Sequence, residues 1–109
     1  MVYLVCLDGK QKVLGCHKLG EGSVNAADVT PRKVVETALA QNATAVILSH
    51  NHVSGLALPS NADLLTTRKL WEVLRNVGVE LVDHLIFAGG DMVSLRDSGF
   101  FAGCSRESS

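Results

Sequence analysis

The chain has 109 residues, of which 47% are hydrophobic, 19% charged and 5% aromatic. That is too apolar for a disordered chain, and the length suits one domain that buries very roughly two-thirds of its unfolded surface. A net charge of −1, with Lys and Arg scattered, argues against a strongly electrostatic surface for nucleic acid or membrane.

No apolar run approaches the roughly 18 residues of a membrane span. Residues 1–7 lack the basic start and small-residue cleavage site of a signal peptide. Cys6, Cys16 and Cys104 are an odd number without a CxxC pair. This disfavours a disulfide scaffold or a thiolate zinc site and fits a reducing, cytoplasmic setting. Cys6 and Cys16 lie in apolar segments and read as small buried hydrophobes.

Residues 3–7 form a short apolar run that predicts a buried strand. Asp8-Gly9 signals a hairpin, and residues 12–19 read as the return strand. Val13, Gly15, His17 and Leu19 would share one face, with Leu14, Cys16 and Lys18 on the other. Gly20 and Gly22 flank Glu21 and break the pattern. Thr30-Pro31 reads as an N-cap followed by proline at the first helical position. Val34, Val35, Ala38 and Leu39 give that helix its stripe, and Asn42 stops it.

Residues 44–49 are apolar on both faces, which predicts a central strand covered on both sides. Residues 51–59 hold Gly55 and Pro59 and make a loop. A second helix is predicted over 61–77, with Leu64, Trp71 and Leu74 as its stripe, Leu70 and Val77 beside it, and Gly78 ending it. A long strand over 79–88, a Gly89-Gly90 turn and a short strand over 92–95 follow. Residues 104–109 read as a disordered tail. The order ββαβαββ predicts an α/β (α+β) layered domain over residues 1–103, a mixed sheet flanked by helices.

The chemistry concentrates between Ser49 and Asp63. His50 and His52 are two apart at the end of an apolar strand, so both imidazoles leave one face. Asp63 falls in the first turn of the next helix, and the loop between can fold its carboxylate back beside the rings. Two imidazoles and a carboxylate are a common zinc set. The fourth tetrahedral position stays open for water, which marks a catalytic site. The metal brings that water's pKa towards neutrality. A plainer reading exists. Ser60 and Asp63 also fit a capping box, which needs no chemistry, and the two roles can coexist because a helix N-terminus favours an anionic side chain.

HxH, seven residues, Ser, two residues, Asp is the spacing of the JAMM (JAB/MPN) metalloprotein motif. The string from His50 and Asn51 through Ser54, Gly55 and Pro59 to Asp63 resembles the RadC branch of that family. Residues 22–26, Pro31-Arg32, residues 42–48, Asp83-His84-Leu85-Ile86 and Val93-Ser94-Leu95 agree with it, so the resemblance spans about residues 2–101.

It implies a JAB/MPN-like (cytidine-deaminase-like) domain. It also implies a zinc-dependent metallopeptidase or isopeptidase site, with His50, His52 and Asp63 as ligands and Ser60 hydrogen-bonding the oxyanion. The substrate implied is a peptide or isopeptide-like amide; a nucleic-acid partner follows only from the family's DNA-repair name. Full-length RadC proteins usually carry a helical N-terminal part with a helix-hairpin-helix motif, which this sequence does not show, so it is expected to be a piece of a longer protein or a truncated relative.

The sequence departs from the family pattern twice. Val53, Leu56 and Ala57 stand where the family loop has Pro, Asp and Pro. The family's general-base glutamate has no plain counterpart: ungapped counting puts His17 at its position, and Glu21 is the only acid nearby. His17 would then face the metal ligands as a proton relay, close the fourth metal position, or be a strand histidine with no role. Glu21 sits on a glycine-flanked turn. His84 reads as a hydrogen-bonded structural histidine. Three functions therefore compete: a zinc hydrolase, a metal-binding or interaction module without a base, and a DNA-associated accessory domain, for which no basic stripe is present.

Overall fold

The computed structural model describes residues 1–20, 29–52 and 57–107. In chain order these hold β1 (Val2–Leu7), β2 (Val13–Gly20), α1 (Pro31–Ala40), β3 (Ala45–Asn51), α2 (Asn61–Asn76), β4 (Glu80–Ala88), β5 (Asp91–Ser94) and α3 (Phe100–Glu107). The described strands form one five-stranded sheet in the order β2-β1-β3-β4-β5. β3 pairs antiparallel with β1 and parallel with β4, and each edge strand is antiparallel to its neighbour. This is the mixed α/β class that the pattern predicts.

The β1–β2 hairpin forms where Asp8-Gly9 signals it, by a different device. The Asp8 carboxylate accepts from the backbone N–H groups of Lys10 and Lys12, both at 2.8 Å. The left-handed residue is Gln11, at φ 63°, rather than a glycine. α1 starts as predicted: the Thr30 hydroxyl accepts from the Lys33 N–H at 3.2 Å, and Pro31 occupies the first turn.

α2 ends in a Schellman motif. Gly78, at φ 79°, donates to the Arg75 carbonyl, and Val79 donates to that of Leu74. A side chain at that φ would be strained, which is why glycine stands there.

One sheet face is the core. Val2, Leu4, Cys6, Val46, Leu48 and Leu81 pack against Val34 and Ala38 of α1 and Leu70 and Leu74 of α2. Leu4, Leu48, Leu70 and Leu74 are fully buried, each favouring the fold by about 1.5–3 kcal/mol over an exposed side chain. The other face carries Tyr3, Val5, Ile47, Leu85 and Phe87, all half-buried. β3 is therefore not buried on both sides as its apolar run suggests; α1 and α2 both contribute to the core on one face.

The tail expected from residue 104 needs correction as well. α3 continues to Glu107, because Phe101 packs against the core and Cys104, one helical turn later, is buried.

Candidate metal centre

The site grows from two ends that the fold brings together. β3 is extended through Asn51, and its register sets His50 opposite Val2 of β1 and Ile86 of β4. His52 follows directly, tied by its backbone N–H to the Phe87 carbonyl at 2.8 Å. The two rings meet edge to face with centroids 4.8 Å apart.

Asp63 arrives from the first turn of α2. Ser60 caps that helix with a complete capping box: its hydroxyl accepts from the Asp63 N–H at 3.0 Å, and Asp63 Oδ2 accepts from the Ser60 N–H at 2.9 Å. The helix end thus fixes the carboxylate before any ligand is considered. The buried face of α2 runs Asp63, Thr67, Leu70, Leu74. One stripe is polar at the site and apolar at the core.

His52 Nε2 lies 2.9 Å from Asp63 Oδ2, and His50 Nδ1 lies 3.8 Å from Asp63 Oδ1. One ligand atom from each residue fits within 4.8 Å of the others, the one such group of three among the described residues. Tetrahedral zinc with bonds of about 2.0–2.1 Å sets its ligands about 3.4 Å apart, and the two measured separations straddle that value.

His50 carries the stronger signal. It is 1% exposed, and neither ring nitrogen has a hydrogen-bond partner. Burying a polar atom without a partner is costly, and a cation held by His50, His52 and Asp63 would remove that cost. The residues present fit a metal ion.

Electrostatics agree. Burial pushes the His50 pKa down, opposed by the nearby Asp63 charge, so the ring is neutral and has a lone pair to offer. Burial alone would raise the Asp63 pKa, but the Ser60 N–H, His52 and the Ser60 hydroxyl outweigh it and hold the carboxyl below its usual range. Asp63 is 2% exposed yet anionic, as a ligand must be.

The remaining expected residues divide. Ser60 is exposed at the rim, directly before α2. His17 shares the predicted face but does not join the group. It pairs with Leu4, which faces Leu48, whereas Val2 faces both His50 and Gly20. His17 is thus one same-face step away, and its Nε2 leans back over Gly15, 3.0 Å from where a Cβ there would sit. The expectation that its ring faces the ligands is corrected: glycine at 15 leaves a berth that the imidazole fills.

Glu21 and the loop residues Val53 and Leu56 lie outside the described residues. Ala57 is buried against Ile86 and Ala88 beneath the site. His84, read as a hydrogen-bonded structural histidine, holds its ring on Thr67, with Nδ1 at 2.6 Å from the threonine hydroxyl, and its backbone N–H donates to Asp83 Oδ1 at 2.7 Å. Asp83 also accepts from the Ser94 hydroxyl and from the Arg96 N–H. The direct contact of Thr67 with His84 was not anticipated; its only sequence signal is the four-residue spacing from Asp63.

Comparison with known proteins gives a consistent result. The family model described as the RadC-like JAB domain matches residues 1–100. A UPF0758 protein of Cellvibrio japonicus is 46% identical over 94 residues, which is 86% of this chain and 42% of that protein. One from Azotobacter vinelandii is 47% identical over 94 residues, with the same coverage. One from Vibrio atlanticus is 41% identical over 98 residues, 90% of this chain and 44% of that protein. The chain spans less than half the length of these relatives. No helix among the described residues is long and apolar enough to cross a membrane.

Proposed function

The chain belongs to the RadC-like JAB domain family, and from that premise we propose that it is a zinc-dependent hydrolase domain acting on a peptide or isopeptide-like amide. The observation that carries this reading is the unpartnered, buried His50 beside His52 and Asp63, with ligand atoms within 4.8 Å. Zinc at that set would supply Lewis acidity, activating water and polarising a carbonyl.

The protein's own groups do the rest. Asp63 is held anionic and oriented by the Ser60 N–H. Ser60 Oγ accepts from the Asp63 N–H, and its O–H proton, which helps hold the Asp63 carboxyl anionic, would turn to donate to a developing oxyanion. Zinc is proposed over other cations because two imidazoles and one carboxylate form a mixed N/O set of low coordination number.

The base is proposed to be Glu21. The support is proximity in the chain: the β2 residue level with His50 is Gly20, through their common neighbour Val2, and Glu21, the next residue, is the only acid in this stretch. A second reading, metal binding without turnover, draws on the fact that no acid other than Asp63 joins the group among the described residues.

Metal analysis of protein purified without chelator decides the first step. About one zinc per chain is expected, and its loss in the His50→Ala, His52→Ala double variant. Equal zinc in both proteins refutes the site. Glu21→Gln in zinc-loaded protein separates the readings. Hydrolysis of peptide and isopeptide substrates should fall by about 10²–10⁴-fold if Glu21 is the base, while zinc-loaded wild type without turnover favours the second.

A further inference from the structure

Asp63 is followed one helical turn later by Thr67, which is fully buried. The Thr67 hydroxyl oxygen lies 2.6 Å from the Asp63 carbonyl oxygen and 2.6 Å from His84 Nδ1. A threonine hydroxyl has one proton to give. The carbonyl can only accept, so it takes that proton. His84 Nδ1 must then carry its own proton and donate it to the Thr67 oxygen. A second proton, on Nε2, would be a charge sealed from solvent with no acceptor, so the ring is neutral and has a single N–H. His84 Nε2 is therefore a bare lone pair. It is sealed from solvent and has no hydrogen-bond partner.

The nearest ring has the complementary need. Among the described residues, the buried side-chain nitrogens without a partner are His17 Nε2, both nitrogens of His50, and His84 Nε2. Three of these belong to His50 and His84, whose centroids stand 6.1 Å apart at a 32° tilt. The β3–β4 register makes them diagonal neighbours on one face, with His84 beside Leu48 and His50 beside Ile86. His50 turns Nδ1 towards Asp63. A cation bound there takes Nδ1 and leaves the ring proton on Nε2, where it needs an acceptor out of water's reach.

We propose that His84 is a positioning residue for the metal centre: its unprotonated Nε2 accepts the Nε2–H of His50 across one water, and so fixes which His50 nitrogen faces the ion. This deepens the metal-centre reading and rests on it. Ligating histidines usually pass their second N–H to a carboxylate, a carbonyl or water. A neutral imidazole in that role orients the ligand without adding negative charge to the centre. The same chain of bonds ties His50 on β3 to α2, through His84 and Thr67, so the two sources of ligands are locked to each other.

Ring nitrogen–proton correlation NMR on the labelled full chain tests this. In the metal-free protein His84 should show the Nδ1–H form with a bare Nε2. A proton on His84 Nε2 overturns the proposal whether or not metal binds. In the zinc-loaded protein His50 should show a slowly exchanging Nε2–H, and its absence also overturns it.

His84→Leu should weaken zinc binding about ten- to hundredfold in a chelator competition while the metal-free protein keeps its fold. His84→Gln, which restores an acceptor, should recover part of the loss. Wild-type affinity in His84→Leu, with the His50 signal unchanged, refutes the positioning role. Wild-type protein that takes up no zinc sinks the metal reading itself, and is distinguished by a metal-free spectrum that still places the His84 proton on Nδ1.

Discussion

Lowering the pH from 7 to 4 should cost this domain about 3 kcal/mol through His84 alone. Burial holds the folded His84 pKa at about 4 against an ordinary 6.5, and one pKa unit corresponds to about 1.4 kcal/mol. Between those values the unfolded chain binds a proton that the folded chain refuses, so stability falls as pH falls. The contribution is intact above 6.5 and fully lost near 4. The slope approaches 1.4 kcal/mol per pH unit for one proton.

The charged and titratable groups near the ring are His50, His52, Asp63 and Asp83. His50 is displaced in the same direction by burial and steepens the curve further. Asp63, held below its ordinary 3.8, adds its loss only at lower pH. Urea midpoints at pH 7, 5.5 and 4 for wild type and His84→Leu measure the effect. The variant should be shallower by about one proton over this window. Equal slopes would show that the buried imidazole does not govern acid stability and refute the reasoning.

Three further substitutions probe the site. Asp63→Ala removes the partner of the Ser60 N–H and of His52; melting of the metal-free protein should reveal a loss of about 1–2 kcal/mol, and zinc should no longer raise the midpoint. A wild-type zinc shift in that variant would reduce Asp63 to a helix cap. Ser60→Ala should cost about 1 kcal/mol as a lost N-cap and leave zinc content unchanged, while kcat falls by about 10²–10³; an unaltered kcat rules out oxyanion contact. His17→Ala should change zinc affinity less than twofold, since the ring leans over Gly15, and calorimetric titration showing a tenfold loss would place it at the metal after all.

Much of the fold and of the site is legible in the sequence. Local signals worked wherever the cause is local: Thr30-Pro31 and Ser60 with Asp63 act within one helical turn, and both caps form. The HxH pair and the acid that follows it assemble because strand period and capping geometry are short-range rules. Long-range facts were less visible. Counting along β2 aligns His17 with the base position, but strand pairing sets His17 opposite Leu4 and Gly20 level with His50, and how β2 meets β1 cannot be read from β2 alone.

The helix over Phe100–Glu107 was missed because its inward residues Phe101 and Cys104 sit around Gly103 and beside a polar tail, which hides a helical period. Thr67 and His84 were readable singly but not as a pair, because α2 and β4 meet only in three dimensions.

β3 is flanked by strands from opposite ends of the chain: β1 arrives with the first residues, and β4 only after α2 has crossed over. The strand that bears His50 is therefore laced on both sides, and its amides can open only when the sheet parts. Hydrogen exchange at Leu48 and Ile86 is thus expected to report the free energy of global unfolding. A metal ion held there would slow that exchange throughout the domain, because a site built on the innermost strand has no private motion of its own.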